Sequence, residues 1–173
     1  MAALLEVADL NVRFAGLNAL TDASIDVSAG EVVALIGPNG AGKTTLLNTI
    51  TGIVRPVSGA IRLEGRPIHG LPPSRIARAG VRRTFQNGGL FGDMSVIENV
   101  LVGLHSRMRG NIFGLFAKGT AADRSEREAT RRATELLDAV GMAGLAEARA
   151  GSLSGGQQRI VEVVRTMAAE PRL

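Results

Sequence analysis

The 173-residue chain has no cysteine, no tryptophan and no tyrosine, and only two histidines, His69 and His105. Without cysteine there is no disulfide scaffold, no thiolate-held zinc and no thiol nucleophile. Two histidines leave little from which to build a His-rich metal site or a Ser-His triad. The aromatic residues are five phenylalanines, Phe14, Phe85, Phe91, Phe113 and Phe116. Long apolar runs are missing too. The longest stretches without a charged residue, Val32–Gly42 and Thr44–Val54, are 11 residues each, against the roughly 18–20 that a bilayer span needs. Met1–Glu6 lacks the basic-then-apolar order of a signal peptide, so the expected location is the cytosol.

The residues present describe a globular chain. Hydrophobic residues make up 45%, and 20 Lys+Arg against 16 Asp+Glu give a net charge of +4; that hydrophobicity excludes intrinsic disorder. Length alone suggests one domain or slightly more. The positive charge is spread along the chain and is weak support for nucleic-acid binding. Glycine is abundant, 22 residues without a Gly-X-Y period, which points to turns and to backbone that approaches a ligand closely.

Leu4–Arg13 and Ala23–Val27 alternate like strands. Val32–Ile36 is an unbroken apolar run, the pattern of a strand buried on both faces of a parallel sheet. Gly37–Gly42 is a glycine-rich loop, and Lys43–Thr51 reads as a helix stopped at Gly52. Ala60–Leu63 with Glu64-Gly65 reads as a hairpin arm, Pro73–Ala79 as a short helix, and Val81–Phe85 as a further strand. Beyond residue 86 the pattern turns helical. Ser95–Glu98 is a capping box opening Val96–Leu104, Asp123–Glu126 opens a helix to Val140, and Ser154–Gln157 opens a helix that Pro171 ends.

The sharpest chemical signal is Gly37-Pro38-Asn39-Gly40-Ala41-Gly42-Lys43-Thr44, a full G-x-x-x-x-G-K-T, followed by Thr45. Its glycines let backbone N–H groups turn inward on phosphates. The helix start adds the positive end of a dipole, Lys43 reaches the β/γ-phosphates, and the Thr44 hydroxyl ligates Mg²⁺. A second signal, Leu153-Ser154-Gly155-Gly156-Gln157, places a hydroxyl and two glycines at another helix start.

The two motifs together, about 110 residues apart, resemble the ABC-type ATPases. The resemblance implies an α/β P-loop NTPase fold of the ABC type, with an N-terminal antiparallel β region and an inserted α-helical subdomain. It implies ATP and Mg²⁺ as cofactors. It implies Phe14 as the ring that stacks on adenine, and Gln86 as the glutamine that meets Mg²⁺ and the attacking water. Ser154, Gly155, Gly156 and Gln157 would then cover the nucleotide of a second ABC subunit. Arg83–Asn87, Leu90-Phe91, Met94–Val100 and the stretch His105–Lys118 resemble the ATP-binding subunits of branched-chain amino acid importers. That implies transmembrane permease partners, a place on the inner face of the plasma membrane, and no nucleic-acid partner. A soluble ABC protein acting on nucleic acid is the alternative, supported by Arg82-Arg83 and Arg131-Arg132. The implied organisation is a nucleotide-binding core at 1–86, a helical subdomain at 87–158, and a signature helix at 159–173 returning to the core.

The family pattern also continues into an apolar strand ending in Asp-Glu and then a switch histidine. This sequence contains no Asp-Glu pair, and neither His69 nor His105 fits the switch position. The resemblance therefore implies truncation before that strand, an incomplete core sheet, and nucleotide binding without hydrolysis. Of the remaining carboxylates, Asp93 and Glu98 fall in the helical region beyond Gln86. Glu162 is expected on the signature helix, facing another subunit.

Overall fold

In β1 (Leu5–Phe14) the inward side chains are Leu5, Val7, Leu10 and Val12. The two-residue period breaks between Val7 and Leu10, and a strand keeps both pairs on one face only by inserting a residue. The computed structural model, which describes residues 3–84, 89–105 and 120–173, shows that insertion as a bulge. Asp9 has φ of 47°, and the pairing with β2 (Leu17–Val27) shifts register there. A matching irregularity in β2 sits at Asp22, φ 45°. Side chains pin both: Asn11 Nδ2 donates to Asp9 O (3.0 Å) and Asp22 Oδ1 (2.9 Å), and the Asp22 N–H donates to Asn11 Oδ1 (3.1 Å).

β3 (Ser58–Leu63) lies on the other edge of β1, with β4 (Arg66–Pro67) beyond it; the order is β2-β1-β3-β4, all antiparallel. Gly59 makes this approach possible. A Cβ there would lie 2.5 Å from Asp9 O and 2.6 Å from Leu10 Cα, and its φ is +95°. The inner sheet face packs on Leu46 and Ile50 of α1 (Lys43–Ile50), on Ile76 of α2 (Pro73–Arg78), and on Ile68 and Val81. These elements form one compact unit, residues 1–82 with Arg172 and Leu173, here the sheet unit. The chain end is tied into it: Arg82 N donates to Leu173 O (2.8 Å), Arg172 N to Gly80 O (2.9 Å), and Arg172 pairs with Glu64.

Two expected strands are not present. Val32–Ile36 has no strand pairing, and Val32 and Ile36 are 97% and 93% exposed, although Leu35 rests on the sheet unit's core. A central strand needs neighbours to take its N–H and C=O groups, and among the described residues no strand pairs with this segment. Residues 81–84 are likewise not a strand, and Phe85 lies outside the described residues.

The second unit spans residues 83–171 and is helical: α3 (Val96–His105), α4 (Thr120–Asp138) and α5 (Gly155–Ala168). Its core is Val96 and Val100 from α3, Ala133 and Leu137 from α4, and Val161, Val164 and Ala168 from α5, with Met142 and Leu153. The expected capping box at α3 is formed, Ser95 N donating to Glu98 Oε2 (2.7 Å). α4 ends at Asp138, two residues short of Val140. The Met142 N–H then closes the helix on Leu137 O (2.8 Å) after a turn at Gly141. α4 also begins at Thr120, before Asp123.

Candidate functional site

The glycine-rich loop folds onto the start of α1. Ala41 N donates to Pro38 O (3.2 Å), closing a turn over Asn39 and Gly40, and Leu46 N reaches Gly42 O (2.9 Å) as the first helical bond. Gly42 is the N-cap, in the left-handed conformation at φ 84°. It also touches the sheet: a Cβ at Gly42 would lie 2.6 Å from Leu20 Cδ2 and 2.8 Å from Ala19 O. Any side chain there pushes the loop off β2. The helix carries no side-chain cap and no acidic residue in its first turn. The positive end of its dipole is therefore unopposed by any side chain of its own, a site suited to an anion.

Lys43 supplies the charge. Its Nζ donates to Gly37 O and Pro38 O, both at 2.7 Å, so the ammonium folds back across the loop that precedes it. Thr44 is exposed, whereas Thr45 is half-buried, its carbonyl accepting from Thr49 Oγ1 at 2.7 Å. Phe14 ends β1 on the hairpin whose second strand Gly42 touches, and the residue is 47% exposed. The sheet unit thus brings together the loop 37–42, Lys43, Thr44, Thr45 and the hairpin that carries Phe14. Among the described residues no group of three or more His, Asp and Glu could hold a metal ion.

Ser154, Gly155, Gly156 and Gln157 lie in the helical unit, at the start of α5. Ser154 is the N-cap of a complete capping box. Its Oγ accepts the Gln157 N–H (3.4 Å), while its own N–H and Oγ both reach Gln157 Oε1 (3.0 Å each). Gly155 and Gly156 are exposed, with open space at their Cβ positions. Gln86, the remaining expected site residue, lies outside the described residues.

Glu162 departs from its expected orientation. It is 5% exposed and turned into its own unit. Gly89 N donates to Oε1 and Arg159 Nη1 to Oε2, each at 2.9 Å. Burial works against its charge, but the Gly89 N–H, Arg159 and Arg165 outweigh it and hold the carboxyl below its usual range. Asn99, wholly buried, was not singled out by the sequence at all. It accepts the Phe91 N–H (2.8 Å) and donates to Phe91 O (3.0 Å) and Ser95 O (2.9 Å). For Asn99 the signal was an amide within a largely apolar helix; Glu162, whose neighbours one turn away are Gln158, Arg159, Arg165 and Thr166, offered none.

A family profile described as ABC transporter matches residues 20–173. The chain belongs to the ABC transporter family. It is 46% identical over 170 residues to the high-affinity branched-chain amino acid transport ATP-binding protein BraF of Pseudomonas aeruginosa, covering 98% of this chain and 67% of that protein. LivG of Escherichia coli, a protein of the same description, is 41% identical with the same coverage. Among solved structures, MJ1267, an ATP-binding cassette of an ABC transporter, superposes with a TM-score of 0.82 at 32% identity, over 99% of this chain and 67% of its own. The ADP conformation of MJ1267 gives 0.82 at 31% identity, over 99% of this chain and 66% of its own. The fold is accordingly that of an ABC ATPase cassette, and the chain spans about two thirds of its relatives' length. Among the described residues no helix is long and apolar enough to cross a membrane.

Proposed function

We propose that this chain is the ATP-binding part of an importer ATPase, taking ATP and Mg²⁺ at residues 37–45 and driving uptake of branched-chain amino acids through partner permease subunits. The observation that carries this reading is the loop geometry: a glycine-led helix start with no side-chain cap, and a lysine ammonium folded over it. The names of the relatives support the solute. Bound Mg²⁺·ATP supplies a cleavable phosphoanhydride and a cation spanning its charge.

Each residue has a defined part. The loop and first-turn N–H groups orient the phosphates, and Lys43 exchanges its two carbonyl partners for phosphate oxygens. The exposed Thr44 hydroxyl holds Mg²⁺, with Gln86 as a second contact that also orients the attacking water. Phe14 stacks on the base. Ser154, Gly155, Gly156 and Gln157 serve the nucleotide held by a second subunit, so two copies, or this chain and a homologue, close around two ATP molecules. The assembly sits on the cytoplasmic face of the plasma membrane, and nucleic acid has no part in it. Phosphoryl transfer also needs a carboxylate beside the attacking water. With no Asp-Glu pair in the chain, residues 1–173 bind nucleotide without turning it over.

Equilibrium titration of Mg²⁺·ATP against the full-length parent and its Lys43→Ala variant tests the reading; equal affinity in the two removes the phosphate assignment. Phosphate release by residues 1–173, compared with the same variant, tests the second part. Turnover that depends on Lys43 overturns it.

A further inference from the structure

Two buried polar side chains have no part in the function proposed above, and both act on one short segment. Glu162, midway along α5, accepts the Gly89 N–H at 2.9 Å. Asn99, on α3, pairs with both backbone groups of Phe91 as a neighbouring strand would, at 2.8 and 3.0 Å. Arg165, one turn beyond Glu162, lies over the Phe91 ring at 5.9 Å from its centroid. The fit at Gly89 is close: a Cβ there would stand 2.9 Å from Arg165 Nη2 and 3.1 Å from Glu162 Oε1. Gly89 and Phe91 therefore take backbone partners from side chains, outside any helix or sheet ladder. Burying a carboxylate and an amide is a poor way to gain stability, because apolar residues of similar volume hold helices together at least as well. What such groups do supply is a fixed position for the backbone they bind.

We infer that Glu162 and Asn99 are positioning residues that anchor the chain three residues beyond Gln86 to α5, the helix that begins at Ser154. The inference rests on the proposed use of Gln86 and Ser154 at the nucleotide. It makes Gly89, Phe91 and α5 one rigid piece, and so holds Gly89 and Phe91 in register with the helix that begins at Ser154. The P-loop belongs to the other unit. Loss of the anchor should therefore slow turnover and leave ATP affinity alone.

The test uses the full-length ATPase subunit assembled with its permease, reading kcat, KM for ATP, and amide exchange at Gly89. Glu162→Met keeps the volume and drops the acceptor; Glu162→Gln keeps the acceptor. The expected result for Glu162→Met is a kcat about tenfold lower, KM within about twofold, and Gly89 exchange faster by roughly ten- to a hundredfold, the range for a lost hydrogen bond to a charged group. Glu162→Gln stays within about threefold of the parent on each. Unchanged kcat or unchanged Gly89 exchange in Glu162→Met overturns the inference, as does an equal loss in both variants. If Glu162→Met does not assemble, Gly89→Ala, which crowds Glu162 and Arg165 from the loop side, is read instead for the same split. Lys43→Ala and Ser154→Arg in the same assembly separate the two layers. If both still turn over ATP, the proposed site is wrong. If both are dead while Glu162→Met is normal, the anchor alone is wrong.

Discussion

Helices α1 and α5 both begin in glycine-rich sequence, yet their first turns are finished in opposite ways. At α1 the cap is Gly42, with no side chain to offer, and the nearest charge is a cation bonded to the loop's own carbonyls. At α5 the cap is Ser154, and Gln157 closes the box from the other side. The first start has no side-chain cap; the second already holds an internal partner. Both units are fitted by close backbone approach, Gly42 against β2 and Gly59 against β1 in the sheet unit, and Gly103 of α3 against Arg165 O of α5 in the helical unit. The helical unit adds buried side chains that reach backbone, Asn99 and Glu162.

The largest effects should come from the two helix starts. Lys43→Ala removes the only cation in the loop, and ATP affinity should fall by about a hundredfold or more, since charge-assisted phosphate contacts are the strong ones; isothermal titration measures it. Ser154→Arg places a bulky cation at the closed start. Binding to an isolated subunit should be unchanged while turnover by the assembled pair falls on the order of 10²–10³-fold, the scale for one missing transition-state donor. If Ser154→Arg weakens binding by the monomer, the contrast between the two starts is lost, because both would serve one nucleotide in one chain.

Gly59→Ala probes the scaffold. The added methyl meets backbone at 2.5 Å on one side and carries a φ of +95°, so β1 and β3 must part. The sheet unit should lose about 2–4 kcal/mol in urea unfolding. A loss no larger than that of an exposed Gly→Ala change would show that the sheet tolerates wider spacing than the bulge at Asp9 implies.

The local chemistry was legible in the sequence where it depends on neighbours in the chain. The Ser154 cap, the Ser95 box and the loop-to-α1 start all rest on contacts within a few residues, and all three formed. The Val7-to-Leu10 slip in β1 was visible as a broken period, though only the structure turned it into a bulge. Val32–Ile36 was misread for the converse reason: its apolar run describes a strand's surroundings, and a strand exists only beside partners. Glu162 was misplaced because a carboxylate in sequence carries no sign of which backbone N–H will meet it. Its partner, Gly89, is 73 residues away.

Glu162 gives a smaller, pH-dependent effect. Its native pKa lies below the unfolded value of about 4.3. The stability it adds is present above that value and is lost as pH falls through the native one. The difference between the parent and Glu162→Gln, followed as α5 amide protection, should be full at neutral pH and shrink below about pH 4. A difference that grows on acidification would place the charge in an unfavourable setting.

The smallest effect is expected at the other charge pairs of the helical unit. Arg131 on α4 pairs with both Glu128 and Glu135, three residues before and four after it. Its guanidinium holds the Glu128 carboxyl below its ordinary range, first through a hydrogen bond and then through its charge. On paper this is more ion pairing than Glu162 has, since Glu162 has one side-chain cation bonded to it. The settings differ, however. The side chains of Arg131, Glu128 and Glu135 are 60%, 66% and 44% exposed, so water and salt compete for every bond, and ordering three long side chains cancels much of what the contacts contribute. Among the described residues none of them binds a backbone group of another element. Arg131→Ala should therefore leave the thermal midpoint, Gly89 exchange and ATP turnover where they were, at low salt and at high. A fall in the midpoint that disappears on adding salt would show that surface charge contributes to holding α4 in place. The helical unit would then depend on its solvent face as well as on the groups buried between α3 and α5.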